Sequence, residues 1–149
     1  MLWFEDFAVG RVDRYGRYEV TREEVLTFAR AYDPQPFHVD DEAAAANPLF
    51  GRLAASGWHT AAMAMRMIAD HWEMLGGRAI LGGAGIDNLR WLTPVYPGDT
   101  LRCEAEVIDA RPSRSKPDRG LVRTRLTVLN QADVAVMSHE SVIVVQRRP

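Results

Sequence analysis

Residues 56–75 read SGWHTAAMAMRMIADHWEML, and this stretch decides the fold. It contains no proline, has no glycine after Gly57, is rich in Ala and Met, and is followed by a Gly-Gly pair. These features predict a helix from Ser56 to about Leu75. The few polar residues come late, so the first three turns have almost no polar face. We therefore expect a buried central helix.

Downstream of this helix the apolar period changes to two, which is typical of strands. Four strands are predicted, at Ile80–Leu92, Thr100–Ile108, Leu121–Leu129 and Val134–Val145. In the second of them the odd-numbered residues from Leu101 to Val107 are apolar, whereas the even-numbered residues between them are charged. This alternation indicates a sheet with one face buried and the other in water.

Upstream of the long helix the sequence predicts one strand and two short helices. A strand is predicted at Arg11–Val20, and Thr21 begins a capping box for a helix from Arg22 to about Tyr32. Two prolines end that helix, and Asp40–Ala46 is predicted as another short helix. The order predicts an α+β fold, a single domain over residues 1–149 in which a curved antiparallel sheet wraps the long helix.

Composition narrows the functional classes. The chain has 149 residues, of which 47% are hydrophobic and 26% charged, as expected for one compact globular domain. A formal net charge of −2 makes nucleic acid a poor partner. The N-terminal residues carry no basic region, and no run of eighteen apolar residues is present, so we expect no membrane span and a cytoplasmic protein. The single cysteine, Cys103, excludes an internal disulfide.

The segment YDPQPFHVD, residues 32–40, is the first candidate site. Its two prolines stiffen a loop that carries Asp33 and His38, so fewer conformations must be frozen to hold an acid and an imidazole in place. An extended loop would separate them by roughly 15 Å, so the chain must bend near Phe37 for them to act together. The alternative is that Asp33 merely ends a helix and that His38 is an ordinary surface histidine heading the next one; the spacing alone fits both interpretations.

The start of the long helix is the second candidate site. Ser56 is suited to be its N-cap, which leaves the amides of Gly57 and Trp58 without an intrahelical acceptor. Free amides at the positive end of a helix dipole stabilise a developing oxyanion, and Gly57 lets a carbonyl group approach. The alternative is close packing of the helix terminus against the sheet.

These motifs, together with the later run PVYPGD at residues 94–99, resemble the MaoC-like dehydratases, also called (R)-specific enoyl-CoA hydratases. The motifs occur in the family's order and span most of the chain. The resemblance implies the hotdog fold, which agrees with the layout above, and it implies catalytic roles for Asp33, His38 and Gly57. The chain departs from the family pattern at Gln35, where the family favours Asn.

The resemblance implies reversible syn addition of water to a trans-2-enoyl thioester, presented by CoA or by an acyl-carrier protein. The Asp33–His38 pair would orient and deprotonate the water, and the Gly57 amide would meet the charge on the thioester oxygen. No cofactor is expected. The scattered histidines do not have metal-ligand spacing, so a metal site is not expected either.

Five further residues are predicted to bind the substrate. They are Ser56, Trp58, His59, Asn88 and Arg90. The alternative for Asn88 and Arg90 is a solvated strand face. A basic loop at residues 110–120 can hold CoA phosphates or serve solubility.

Two other functions stay open on the same scaffold. One is an acyl-CoA thioesterase in which Asp33 activates water toward the carbonyl, and the other is a noncatalytic acyl-binding module. Since a nearly apolar helix under one sheet needs more cover than one protomer supplies, we expect a homodimer or a higher homo-oligomer.

Overall fold

A computed structural model describes residues 1–77 and 79–149. Its helices are α1 (Arg22–Tyr32), α2 (Pro36–Val39), α3 (Asp41–Ala46) and α4 (Gly57–Met74). Its strands are β1 (Val12–Glu19), β2 (Ile80–Trp91), β3 (Thr100–Pro112), β4 (Arg119–Leu129) and β5 (Ala135–Gln146). A turn of 3-10 helix, Phe4–Asp6, precedes β1. The predicted strands and the three predicted helices are all present.

The strands form one antiparallel sheet in the order β1-β3-β4-β5-β2. Its inner face packs on α4, and the core between them holds Met63 and Met67 of the helix with Leu101, Leu126 and Met137 of the strands. This is the predicted arrangement of a sheet around a long helix. Two strands, β1 and β2, form the edges of the sheet.

One glycine lets the helix approach the sheet closely. Gly16 lies in β1 with φ +86°, beside the point where the pairing of β1 with β3 shifts register. A Cβ atom at this position would overlap the side chain of Met67. The backbone of β1 therefore comes nearer to α4 than a strand residue with a side chain would allow.

Two local features differ from the predictions. The segment after Pro34 is not a loop throughout, because Pro36 begins the single-turn helix α2. Proline is well suited to the first position of a helix, whereas the sequence pattern predicts it here only as a residue that ends one. In addition, β3 continues to Pro112, which pairs with Gly120, so half of the predicted polar loop is a hairpin.

Candidate active site

A cavity of about 440 Å³ lies at the N-terminal end of α4. Asp33, His38 and Gly57, the three residues predicted to be catalytic, all line it. The remaining wall is mainly apolar and comes from the loop before α4, the start of that helix and the end of β2; it includes Leu49, Phe50, Trp58, Trp91, Leu92 and Val95. The sequence thus folds so that one concave space collects an acid, an imidazole and a helix start.

Helix α2 brings the acid and the imidazole together. Asp33 follows the last residue of α1, and His38 lies in the single turn that begins at Pro36. This turn replaces the extended path that would have separated the two groups. The Oδ2 atom of Asp33 lies 3.5 Å from Nε2 of His38. Stacking of Phe37 on Phe50, at 5.0 Å between ring centroids, holds the turn against the loop before α4.

Two neutral donors hold the carboxylate of Asp33. Ser56 Oγ donates to its Oδ2 atom at 2.6 Å, and Gln35 Nε2 donates to its Oδ1 atom at 2.8 Å. Partial burial raises the pKa of Asp33, but these two hydrogen bonds and the nearby His38 outweigh it, so the net shift lowers the pKa below its usual value. Asp33 is therefore an ionised carboxylate at neutral pH.

The ring of His38 is buried and has a fixed orientation. Its side chain is only 5% exposed, and Nδ1 lies 2.7 Å from the carbonyl oxygen of Ala54. Because a carbonyl oxygen can only accept, Nδ1 carries a proton, and in the neutral ring Nε2 is a free base directed toward Asp33. The chain around Ala54 is itself anchored, since the amide of Ala55 donates to the carbonyl of Val95 at 2.8 Å.

The start of α4 completes the site. Ser56 is the N-cap, and its Oγ accepts from the amide of Trp58 at 3.3 Å, so that amide is occupied. The Gly57 amide has no acceptor within the described residues. A Cβ atom on Gly57 would overlap the indole of Trp91. The site therefore presents one free amide at the positive end of an 18-residue helix.

The sequence model of one protein family, described as the MaoC like domain, matches residues 7–130. This match covers most of the chain. The chain belongs to the MaoC-like domain family.

Relatives with known sequences and structures agree with this assignment. Over 143 residues the chain is 30% identical to the uncharacterized protein YdeM of Bacillus subtilis, covering 96% of this chain and 98% of that protein. It is 29% identical over 142 residues to the 3-hydroxyacyl-thioester dehydratase Z of Mycobacterium tuberculosis, covering 93% and 92%. The crystal structure of a MaoC-like dehydratase from Rhodospirillum rubrum is 41% identical, has a TM-score of 0.88 and covers 100% of this chain and 99% of that one.

A further solved structure identifies the fold. The Mycobacterium tuberculosis protein RV0216, described as having a double hotdog fold, superimposes with a TM-score of 0.76 at 20% identity. The match covers 99% of this chain and 45% of that one. The predicted hotdog fold, α+β with a long helix and a five-stranded antiparallel sheet, is confirmed. No helix in the described part of this MaoC-like chain has the length and apolarity to cross a membrane.

The structure places two of the predicted substrate contacts away from the cavity. Ser56 is completely buried and acts on Asp33 instead of lining the wall. His59, in the first turn of α4, is directed toward α1, where its ring stacks on Phe28 with 4.8 Å between ring centroids and 9° between planes. Neither is among the described residues that line the cavity, because the direction of a side chain at a helix start cannot be read from spacing.

Of the remaining predicted contacts, one lines the cavity and two do not. Trp58 does line the cavity, in an edge-to-face contact with Trp91 at 5.0 Å. Asn88 and Arg90 are exposed on β2 and do not line the cavity formed by the described residues, although Arg90 immediately precedes Trp91.

Sequence reasoning missed two elements of this MaoC-like site. The carbonyl of Ala54 fixes the His38 ring, and backbone groups leave no residue-type signal. The indole of Trp91, at the end of β2, packs over Gly57. The only sequence signal for this contact is a large apolar side chain at the end of a predicted strand. Both contacts depend on how distant segments pack.

Proposed function

We propose that this chain is a hydro-lyase that reversibly adds water to a trans-2-enoyl thioester in the syn sense. One observation carries the proposal: an ionised carboxylate and an oriented imidazole lie 3.5 Å apart in a cavity that also exposes a helix N-terminal amide. The name of the relative in Mycobacterium tuberculosis, a 3-hydroxyacyl-thioester dehydratase, supports the same class of reaction.

The hydrogen bonds of the pair favour a division of roles. The separation of 3.5 Å is too long for a strong direct hydrogen bond, and a water on the cavity side can donate to both Asp33 Oδ2 and His38 Nε2. Because the pKa of Asp33 is lowered, Asp33 holds this water and His38 removes its proton. The hydroxide adds to C3 of the enoyl group, and the imidazolium then gives the same proton to C2.

The electrons and the proton can be followed through this scheme. The C2–C3 π electrons pass into the thioester as the C3–O bond forms, which places negative charge on the thioester oxygen. The free Gly57 amide is suited to donate a hydrogen bond to that oxygen, and the dipole of α4 adds to its effect. When the proton reaches C2, the thioester carbonyl is restored. Both additions come from the face on which the Asp33–His38 pair lies, which accounts for the syn outcome.

Two arginines favour a CoA thioester over one that is presented by a carrier protein. No carboxylate of the described residues lies within 4.0 Å of Arg52 or Arg90. Arg52 follows the cavity-lining Phe50 by two residues, and its guanidinium lies 3.9 Å above the ring of Tyr96, while Arg90 adjoins Trp91. Guanidinium groups without a carboxylate partner bind phosphate well, and both of these follow or precede a cavity-lining residue closely in the chain.

The basic loop of residues 110–120 does not fit the same role within one protomer. It joins β3 to β4, whereas the cavity lies near the other end of β4. An eleven-residue strand spans roughly 35 Å. In addition, Arg119 is neutralised by Asp118 at 2.8 Å.

A homodimer through β2 is part of the proposal. Among the described residues this edge strand pairs with β5 alone, and it exposes Leu81, Ile86 and Trp91. On α4, Trp58 and Met65 are also exposed. An unpaired apolar edge beside an uncovered helix favours association with a second copy. Light scattering coupled to gel filtration would give twice the mass of one chain, and a monomeric mass would exclude the dimer.

The reaction is tested by following trans-2-enoyl-CoA thioesters of several lengths with wild type, Asp33→Asn and His38→Ala. We expect the absorbance of the conjugated enoyl group to fall without release of thiol, and both variants to lose the activity. Release of thiol from a saturated acyl-CoA would instead identify a thioesterase. Tight binding without turnover, unchanged in Asp33→Asn, would identify an acyl-binding module.

A further inference from the structure

A second and larger cavity, of about 800 Å³, lies between α4 and the inner face of the sheet. Its walls are mostly apolar, and its size falls in the range of small-molecule sites. Trp58 lines both this cavity and the smaller one at the N-terminal end of α4, so its side chain borders both spaces. An acyl group attached to a thioester in the smaller cavity would reach the larger space by passing Trp58.

A cluster of polar side chains on β4 and β5 interrupts the apolar wall. It consists of His139, Ser141 and Thr124, and all three line the larger cavity. Thr124 pairs with Ser141 across the strands, and their hydroxyl groups lie 2.9 Å apart, so each has a partner. The Nδ1 atom of His139 differs, because it is buried and has no hydrogen-bond partner among the described residues. A buried polar atom without a partner is costly.

The position of His139 relates it to the catalytic cavity. Val136 lines that cavity, and His139 follows three residues later on β5. At the usual rise of a strand, this places His139 roughly 10 Å farther along the sheet. It pairs in register with Leu126, which lines the larger cavity as well. An acyl group that passes Trp58 would therefore run toward the His139 ring.

We propose that the acyl group of the substrate carries an uncharged hydrogen-bonding substituent, a hydroxyl or a carbonyl, which pairs with His139. The inference rests on the hydratase function proposed above. A plain hydrocarbon chain would remove water from Nδ1 and give it no partner, whereas a polar substituent supplies one.

The charges around the cavity favour an uncharged substituent over a carboxylate. Burial lowers the pKa of His139 and outweighs the backbone of Glu140, which raises it, so the ring is neutral near pH 7. No Lys or Arg occurs among the described residues that line this cavity, and the only acidic one is Asp13. A carboxylate here would be buried without a cation to pair with it.

The test compares two thioesters of equal length, a straight-chain trans-2-enoyl-CoA and the same chain with a hydroxyl group beyond C5. Values of kcat/KM are measured for wild type, His139→Leu and His139→Gln, with His59→Leu as a control that removes a buried imidazole from outside both cavities. Binding of the corresponding saturated thioesters is measured by calorimetry, so that the preference is tested even without turnover.

We expect wild type to favour the hydroxylated chain by about tenfold, because one unsatisfied polar group costs about that factor. The preference should vanish or reverse in His139→Leu, persist in His139→Gln, and stay unchanged in His59→Leu. Equal or better use of the plain chain by wild type overturns the inference but leaves the hydratase function intact. If no enoyl thioester reacts, the hydratase proposal fails, and the calorimetric preference alone decides the role of His139.

Discussion

Two aspartate–histidine pairs stand at opposite ends of α4. Near its first turn, Asp33 Oδ2 lies 3.5 Å from His38 Nε2; in its last turn, His71 Nε2 lies 3.9 Å from Asp13 Oδ2. Each pair lines a cavity. Residue type and proximity therefore do not tell which of the two pairs is suited to catalysis. The residues that surround each pair make that distinction.

The carboxylates differ in the charge of their partners. Asp33 accepts hydrogen bonds from the neutral Ser56 and Gln35. Asp13 accepts one from Arg11 Nε at 3.1 Å, a cation that already neutralises it. A carboxylate held by neutral donors keeps its charge available to a water or an imidazolium, whereas a salt-bridged one does not.

The imidazoles differ in what fixes them. His38 is oriented by a hydrogen bond to the carbonyl of Ala54, which leaves Nε2 as the basic nitrogen. His71 is held by stacking on Tyr15, at 4.1 Å between ring centroids and 3° between planes. The helix adds to the contrast, because its N-terminus stabilises developing negative charge and its C-terminus opposes it. Only the first pair is suited to chemistry that gathers charge on a thioester oxygen.

The largest expected effect separates the two pairs directly. Asp33→Asn and His38→Ala should each lower kcat/KM for hydration by about 10²–10⁴-fold, since they remove acid–base catalysis. Asp13→Asn and His71→Phe should change kcat/KM on a short enoyl-CoA by no more than a few-fold. Steady-state rates and thermal unfolding of all four variants check this. Equal losses of kcat/KM in the variants of both pairs would show that the residues around a pair do not decide whether it is catalytic.

The helix N-terminus is tested by Gly57→Ala. The added methyl group would overlap the Trp91 indole, so the first turn of α4 must shift and carry the amide away from the substrate. Losing one oxyanion donor lowers kcat by about 10²–10³-fold. Removing the overlap in the double variant Gly57→Ala, Trp91→Ala should restore part of this loss. A Gly57→Ala enzyme with wild-type kcat would exclude the amide from the mechanism.

The periodic elements could be predicted because one residue period dominates each of them. The apolar run of α4 and the alternation in β3 and β4 are local patterns, and both are realised within a few residues. The bend after Asp33 was expected only as a requirement for the pair to converge. Its form, a one-turn helix that starts at Pro36, depends on packing of Phe37 against Phe50, which no local pattern contains.

The candidate site was predictable at the level of residue types but not of orientations. Asp33, His38 and Gly57 do share a cavity. In contrast, His59 turns to Phe28 and Ser56 turns to Asp33, because the rotation of α4 about its axis is set by its contacts with α1 and the sheet. The larger cavity could not be predicted either, because α4 and all five strands line it, and the same holds for His139 Nδ1, which has no hydrogen-bond partner among the described residues.

A smaller change in kcat separates two roles of Ser56, the hydrogen bond to Asp33 and the N-cap of α4. Ser56→Ala removes an N-cap and a donor to Asp33, whereas Thr21→Ala removes only the N-cap of α1, which accepts from the Glu24 amide at 3.3 Å. Each should lower the free energy of unfolding by about 1 kcal/mol in chemical denaturation. Only Ser56→Ala should also lower kcat, by about tenfold. A similar loss of kcat in Thr21→Ala would attribute the effect to stability alone.

The smallest effect concerns the residue that departs from the family pattern. Gln35→Ala removes a hydrogen bond that favours the ionised carboxylate, so the pKa of Asp33 should rise toward its usual value. The carboxyl ¹³C shift of Asp33, followed by NMR through an acid titration, measures this directly. Since a lowered pKa contributes stability that is lost as pH falls through it, Gln35→Ala should also unfold with less pH dependence between the two values. The control is Gln131→Ala, which removes a matched hydrogen bond, from the Gln131 side-chain amide to Asp99 at 3.0 Å, and should leave the Asp33 titration unchanged.

An unaltered titration in Gln35→Ala would mean that Ser56 alone stabilises the ionised form of Asp33. The longer side chain at position 35 would then contribute nothing to the difference between Asp33 and Asp13.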